Sequence, residues 1–165
     1  MNLRSSLLAL SMLVGLGGCS VQPGQYVIIR LANAELTQSA SCYPDNMVPD
    51  SLKDDRTTLS TGSSIAVFAA DSETYYLELA EGAVSIEGTR DGKDYSFLGE
   101  EVDVEENSTT TVKWDIQTTV DNKSVTGTSI ITTTCSGDGC GVTSCVQTTN
   151  FVGTVVKGVE LEHGI

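Results

Sequence analysis

The second half of the chain alternates apolar and polar residues with the period of two that is typical of a β-strand buried on one side. From residue 112 onward the apolar positions, with Thr118 in line, are Val112, Trp114, Ile116 and Val120. The positions between them are polar and include Lys113 and Asp115. The pattern predicts a half-buried strand with Trp114 on its buried face and with Lys113 and Asp115 facing solvent.

Asn122 and Lys123 follow this strand and predict a two-residue turn into a second strand over Ser124–Cys135. The register set by that turn gives three pairs: Val120 with Val125, Ile116 with Ser129, and Trp114 with Ile131. The buried faces of the two strands agree in this register, which supports the hairpin independently of the turn.

A second hairpin is predicted at Asp91-Gly92, a dipeptide that favours tight turns between strands. Pairing outward from this turn places Tyr95 opposite Gly88 and Phe97 opposite Ile86. A glycine opposite an aromatic residue leaves room for the ring to lie flat across the neighbouring strand.

Further strands are predicted at 26–31, 64–70, 73–80, 101–105 and 143–161, the last with or without a break near Asn150. The predicted fold class is therefore all-β, an antiparallel meander of about eight or nine strands. Such a meander either closes into a barrel of lipocalin-like architecture or pairs two sheets in a β-sandwich. We favour the barrel because consecutive strands pair with their neighbours, although no lipocalin sequence motif is present.

The first twenty residues indicate where the protein is located. Arg4 and the terminal amine precede an apolar segment, Leu7–Leu16, that is too short to span a bilayer. The segment runs into Leu16-Gly17-Gly18-Cys19, which resembles the lipobox of bacterial lipoproteins. The resemblance implies cleavage before Cys19 and acylation of that residue, which would anchor the protein to the membrane. The alternative is an ordinary secretory peptide with a cysteine near its cleavage site.

This resemblance divides the chain into a signal peptide over 1–18, a lipidated cysteine with a short tether over 19–25, and one all-β domain over 26–165. In lipoproteins of this kind an aspartate directly after the cysteine implies retention at the inner membrane. Ser20 occupies that position. The resemblance therefore favours the outer membrane.

The charge of the chain excludes one class of partner. The formal net charge is −13, and residues 71–106 hold twelve acidic side chains against only Arg90 and Lys93. Such a surface repels the phosphates of nucleic acid and of anionic lipid headgroups. We expect no nucleic-acid partner, and we expect the acyl chains on Cys19 to provide the membrane attachment.

Four cysteines remain once Cys19 is assigned to lipid: Cys42, Cys135, Cys140 and Cys145. An even number in an exported protein predicts two disulfides. Spacing leaves three connectivities open, of which Cys135–Cys145 with Cys42–Cys140 is slightly favoured. A metal site is not expected, because the only histidine, His163, lies far from this group in the sequence.

The run of acids over 100–106 is predicted to lie on a strand. Glu101, Asp103 and Glu105 would share one face, with Val102 and Val104 on the other. Successive acids on one face of a strand are about 6–7 Å apart, which is too wide for a single calcium ion. We interpret them as a solvated outer face that also discourages edge pairing.

No sequence motif for catalysis or for a cofactor is present. His163 is close to the carboxyl end, and a nucleophile elbow, a phosphate-binding glycine loop and a zinc-binding helix motif are all missing. We therefore predict a protein that is not an enzyme. A carboxylate-dependent hydrolase stays open as an alternative, because pairs of acids cannot be recognised from sequence.

The function that follows is a non-enzymatic binding or structural module of the cell envelope. Its contact surfaces would be the long loop Ser41–Ser63 and the glycine-rich loop Ser136–Val142, with an envelope protein as partner. The alternative is a lipocalin-like carrier of a small apolar ligand. In that case the aromatic residues would line a cavity instead of a solid core: Phe68, Tyr75, Tyr76, Tyr95, Phe97 and Trp114.

Overall fold

The computed structural model describes residues 21–43, 59–79 and 84–162, and of 157–162 the backbone alone. These residues form eight strands and one short 3₁₀ turn, Ala40–Cys42. The strands are β1 Gln25–Gln38, β2 Ser64–Ala69, β3 Tyr75–Leu79, β4 Val84–Asp91, β5 Asp94–Val104, β6 Thr109–Asp121, β7 Ser124–Ser136 and β8 Ser144–Glu162. Within the described ranges no helix is both long enough and apolar enough to cross a membrane.

Each strand pairs antiparallel with the next along the chain, and β8 pairs with β1, so the sheet closes into a barrel. The predicted all-β meander is confirmed in its barrel form. The closing pair runs from Gln25↔Glu162 to Gln38↔Gln147, with register shifts between Val27 and Ile29 and between Leu31 and Asn33. Closure gives backbone partners to two strands that would otherwise be sheet edges.

The hydrophobic core fills one end of the barrel, which we call the base. The base is the end at which β1 begins and at which the hairpins β4–β5 and β6–β7 turn. Eight large apolar side chains of this core are at most 1 % exposed: Ile29, Leu31, Val67, Leu77, Leu79, Phe97, Ile116 and Val125. An eight-stranded barrel is just wide enough to be filled by such side chains.

The β6–β7 hairpin forms as predicted. The register includes Val120↔Val125, Ile116↔Ser129 and Trp114↔Ile131. Lys113 and Asp115 are exposed, as expected. Trp114 and Ile131 are only half-buried, and Trp114 packs against the edge of the core.

The β4–β5 hairpin forms near the predicted position but in a different register. Asp91 pairs with Asp94, so the turn residues are Gly92 and Lys93 instead of Asp91 and Gly92. Phe97 consequently lies opposite Gly88 and Tyr95 opposite Arg90. The expected contact between a glycine and an aromatic ring is present, but the ring is that of Phe97.

Space explains this register. A Cβ atom on Gly88 would come within 2.4 Å of both Phe97 Cδ1 and the Ser96 carbonyl oxygen. The Phe97 ring therefore fills the volume that a side chain at residue 88 would occupy. Any larger residue at position 88 would displace the Phe97 ring from its place in the core.

The remaining strands differ from the prediction mainly in length. β1 extends seven residues beyond the predicted end at Leu31, and residues 101–104 continue β5 instead of forming a separate strand. β8 runs through Asn150 without a break, where the side-chain amide oxygen accepts a hydrogen bond from Thr128 Oγ1 at 3.0 Å. Pairing on both sides, with β7 and with β1, keeps β8 extended.

The chain is folded into the base from Val21 onward. Val21 is 5 % exposed and belongs to the core, and its backbone hydrogen-bonds the Tyr95 hydroxyl. Gly24 N–H donates to the Ala69 carbonyl at 2.7 Å. Burial raises the pKa of Tyr95, partly offset by the charge of Arg90.

Replacing Gly88 by alanine should lower the free energy of unfolding by about 1–3 kcal/mol, because the new methyl group overlaps the Phe97 ring and a backbone carbonyl. Gly141→Ala is the matched control, since no atom lies within 4 Å of a Cβ built there, and it should change stability by less than about 0.5 kcal/mol. Denaturant unfolding measures both variants. If the Gly88→Ala and Gly141→Ala proteins had the same free energy of unfolding, the close packing of Phe97 on Gly88 would be contradicted.

Candidate functional site

Five strands run past β2, β3 and β4 and form an open end opposite the base, which we call the rim. The rim consists of Ala34–Gln38, Glu100–Val104, Thr109–Lys113, Thr132–Ser136 and Ser144–Thr148. It exists because β2, β3 and β4 have only five to eight residues each, whereas the other strands have eleven or more. At the rim, β5 is exposed on both faces, whereas β6 and β8 are mostly half-buried.

Two disulfides fasten the chain at the rim, which confirms that the four cysteines are oxidised. They join Cys42 to Cys145 and Cys135 to Cys140. The slightly favoured pairing of Cys135 with Cys145 and of Cys42 with Cys140 is wrong.

The tertiary structure explains the observed connectivity. The β1–β8 ladder continues to Gln38↔Gln147, so the chain leaving β1 passes directly beside Cys145. Ser39 N–H donates to the Val146 carbonyl at 2.9 Å and holds the turn that carries Cys42. Cys140 lies five residues from Cys135 and returns to it through a tight local turn at Gly137.

A cleft opens between β4 and β5 just above the core. The two strands are paired only up to Gly88↔Phe97 and then separate, which leaves a cleft of about 380 Å³. Ile86, Gly99 and Trp114 lie at its floor: a Cβ on Gly99 would be 3.0 Å from Ile86 Cγ2 and 3.3 Å from Trp114 Cε3. The single tryptophan of the chain therefore reports on this cleft.

Among the described residues, the strand edge of β5 beside the cleft has no partner strand. Over Leu98–Val104, β5 pairs with β6 on one side, and no described residue bonds to the backbone on its other side. The facing edge of β1 is covered in its first half: Leu31 N–H donates to the Ser63 carbonyl and Ala34 N–H to Thr61 Oγ1, both at 2.9 Å. Within the described ranges, Leu98–Val104 is thus the longer open edge.

The two faces of this edge strand are the reverse of the predicted arrangement. The alternation of acids and valines is as expected, but Glu101 and Asp103 continue the inward face of Phe97, and Val102 and Val104 lie on the outer surface. Five large apolar side chains are exposed in the part of the chain that the structure describes, and three of them belong to this strand: Leu98 at 63 %, Val102 at 52 % and Val104 at 71 %. Both inward acids are exposed, so the inward face of β5 at the rim is not buried by the described residues.

The acidic side chains of this strand differ in their partners. Glu100, on the outer face, forms a salt bridge with Lys113 at 3.2 Å. Neither Glu101 nor Asp103 has a cation within 4 Å among the residues that the structure describes. Both carboxylates are exposed. The inward face of the open edge therefore carries negative charge that the described part of the fold does not neutralise.

The aromatic residues are divided between the core and the surface. Tyr75, Tyr95 and Phe97 are buried in the base. Phe68 and Tyr76 lie on the outer wall in one row with Tyr26, whose hydroxyl donates to Glu78 Oε1 at 2.8 Å. Burial, together with this hydrogen bond and the charge of Glu78, raises the pKa of Tyr26 to about 12.

The predicted lipidation site, Cys19, and most of the long loop, 44–58, lie outside the described residues, as does His163. The glycine-rich loop is described and is closed by Cys135–Cys140. Among the described side chains no group of three could hold a metal ion. The sequence does not indicate the open edge of β5 as a site, because the exposure of that edge depends on where the pairing of β4 with β5 stops.

No family model, no curated protein and no solved structure matches this chain. The function therefore has to be argued from the geometry of the rim and from the amino-terminal motif.

Removing the Cys42–Cys145 disulfide should cost more stability than removing Cys135–Cys140. The first closes a loop across 103 residues and the second across 5, so loop-entropy scaling gives about 4–5 and about 2 kcal/mol, respectively. Denaturant unfolding of the Cys42→Ser/Cys145→Ser and Cys135→Ser/Cys140→Ser proteins measures the difference. The opposite order would show that the entropy of the unfolded chain does not control how much each disulfide stabilises the fold.

Proposed function

We propose that this protein is a lipoprotein anchored to the outer membrane, whose barrel acts as a non-enzymatic binding or structural module of the cell envelope. The resemblance of Leu16-Gly17-Gly18-Cys19 to a lipobox supports the anchor. The open rim, with its exposed apolar side chains, supports a role in binding.

The burial of Val21 is the observation that carries this proposal. Only Ser20 separates Cys19 from Val21, so the two Cα atoms are at most about 7 Å apart. A lipid on Cys19 would therefore hold the base of the barrel directly against the headgroups. The rim, at the other end of the five long strands, would then face away from that membrane and be free to bind a partner.

Rigidity also supports a binding role at the rim. Cys42–Cys145 ties the turn after β1 to β8, and Cys135–Cys140 closes the loop that follows β7. A preorganised surface loses less conformational entropy when a partner binds. Both disulfides lie far from the packed base, so they restrain the part of the barrel that has the least core.

A second candidate function, a carrier of a small apolar ligand, is favoured by one observation. Ser129 is 1 % exposed inside the barrel, and its hydroxyl has no hydrogen-bond partner among the described residues. A buried hydroxyl without a partner costs about 1–3 kcal/mol. A polar group of a bound ligand could offset that cost.

The anchor is tested by Cys19→Ala in the full-length protein. This variant should remain an unprocessed precursor that carries no acyl chain, because it has no thiol to acylate. Ser20→Asp is the matched control: it should still be lipidated but should cofractionate with the inner membrane. Normal processing and partitioning of Cys19→Ala would contradict the proposal.

The carrier is tested by Ser129→Ala. If the interior is a solid core, removing the unpaired hydroxyl should raise the free energy of unfolding by about 1 kcal/mol. Thr118→Val is the control: it removes the hydrogen bond from Thr118 Oγ1 to the Thr126 carbonyl, 3.0 Å long, and should lower stability by about 1 kcal/mol. A destabilised Ser129→Ala protein that also loses a ligand seen by native mass spectrometry would favour the carrier.

A further inference from the structure

We propose that the open edge of β5 binds an extended protein segment in which basic and apolar residues alternate, and that this segment adds to the barrel as a further strand. The inference rests on the proposed function as a binding module and names the chemistry of its partner. It is carried by the backbone edge over Leu98–Val104, by the exposed apolar side chains on that strand and by its uncompensated carboxylates.

The backbone provides the attachment. An edge strand presents alternate N–H and C=O groups, and an extended peptide satisfies them by forming one more ladder. Leu98–Val104 offers seven residues, an edge of about 20 Å. The cleft of about 380 Å³ between β4 and β5 gives space beside the start of this edge. A segment of about seven residues therefore fits the edge.

The side chains of β5 specify the sequence of the partner. In a paired strand, residues that lie directly opposite each other share a face of the sheet. Partner residues opposite Glu101 and Asp103 would meet carboxylates that form no salt bridge with a described residue, so lysine or arginine is favoured there. Partner residues opposite Val102 and Val104 would cover apolar side chains that are now exposed, so apolar residues are favoured there.

The same charges exclude a second copy of this edge as the partner. Antiparallel pairing of β5 with itself keeps the inward faces together, so Glu101 and Asp103 of one molecule would lie opposite the same carboxylates of another. Like charges directly opposite each other are destabilising. The acidic edge thus disfavours self-association and selects a basic partner.

The probe is a capped heptapeptide, Val-Lys-Val-Lys-Val-Lys-Val, titrated against the full-length protein in detergent micelles. Trp114 is the only tryptophan and lines the cleft, so its emission reports binding. We expect a saturable change in emission that weakens as salt is added. The peptide with glutamate in place of lysine should bind about tenfold more weakly or not at all.

Charge reversal locates the site. Glu101→Lys/Asp103→Lys should invert the preference, so that the glutamate peptide binds better than the lysine peptide. Glu105→Lys/Glu106→Lys is the matched control: it changes the net charge equally, but its residues follow the strand end at Val104 and should leave the preference unchanged. Because the first variant gains binding of a peptide, a failure to fold cannot imitate the expected result.

Backbone methylation distinguishes strand addition from general electrostatic attraction. Methylating every second backbone nitrogen removes the hydrogen-bond donors along one edge of the extended lysine peptide. Two such peptides, one blocked on each edge, should therefore differ: one should lose binding and the other should retain it. The proposal is overturned if both methylated peptides bind like the parent, if the two double variants behave alike, or if the lysine peptide leaves Trp114 emission unchanged. If the protein does not bind the peptide but still partitions into detergent through a lipid on Cys19, the proposed anchor stands and only the strand-addition proposal fails.

Discussion

The pairing of β1 with β8 is the interaction on which the rest of the structure depends. A meander of eight strands has two unpaired edges until its first and last strands meet, and unpaired backbone groups are costly when they are buried. The pairing spans the whole of β1, and its two register shifts let that strand bend around the barrel. It also brings Cys42 beside Cys145 and so sets the longer disulfide.

Contacts between glycine and aromatic rings allow the closed sheet to have a solid interior. The Phe97 ring packs on Gly88, and the Phe151 ring packs on Gly127; in each case the glycine is the ring's pairing partner on the neighbouring strand. A Cβ atom on Gly127 would be 2.3 Å from Phe151 Cζ. Small residues on one strand thus make room for rings from the next, and the described strands fill the base with their own side chains.

Unequal strand lengths separate the packed base from the rim. The β4–β5 ladder ends at the pair Gly88↔Phe97, and β5 continues for seven residues beyond Phe97. The continuation needs no core, since β6 holds it on one side and solvent reaches both faces. The unpaired backbone groups of such an edge can pair with an added strand, and its carboxylates favour strands that carry basic residues. The core is concentrated at the base, and the strand edge to which we assign the proposed binding lies at the rim.

The sequence by itself determined what depends on neighbouring residues. Alternation over 112–120 and a two-residue turn at Asn122-Lys123 are local, so the β6–β7 register and the all-β class follow from the sequence alone. The predicted β4–β5 register is wrong because several turn positions fit Asp91-Gly92-Lys93, and only the fit of Phe97 against Gly88 decides among them.

Only the tertiary structure decided what depends on residues far apart in the chain. The pairing of Cys42 with Cys145 across 103 residues follows from barrel closure, and no spacing rule contains that information. The inward direction of Glu101 and Asp103 likewise follows from their continuity with Phe97, which is buried inside the barrel. A period of two tells which residues share a face, but which face is inside is set by the residues that pack against it.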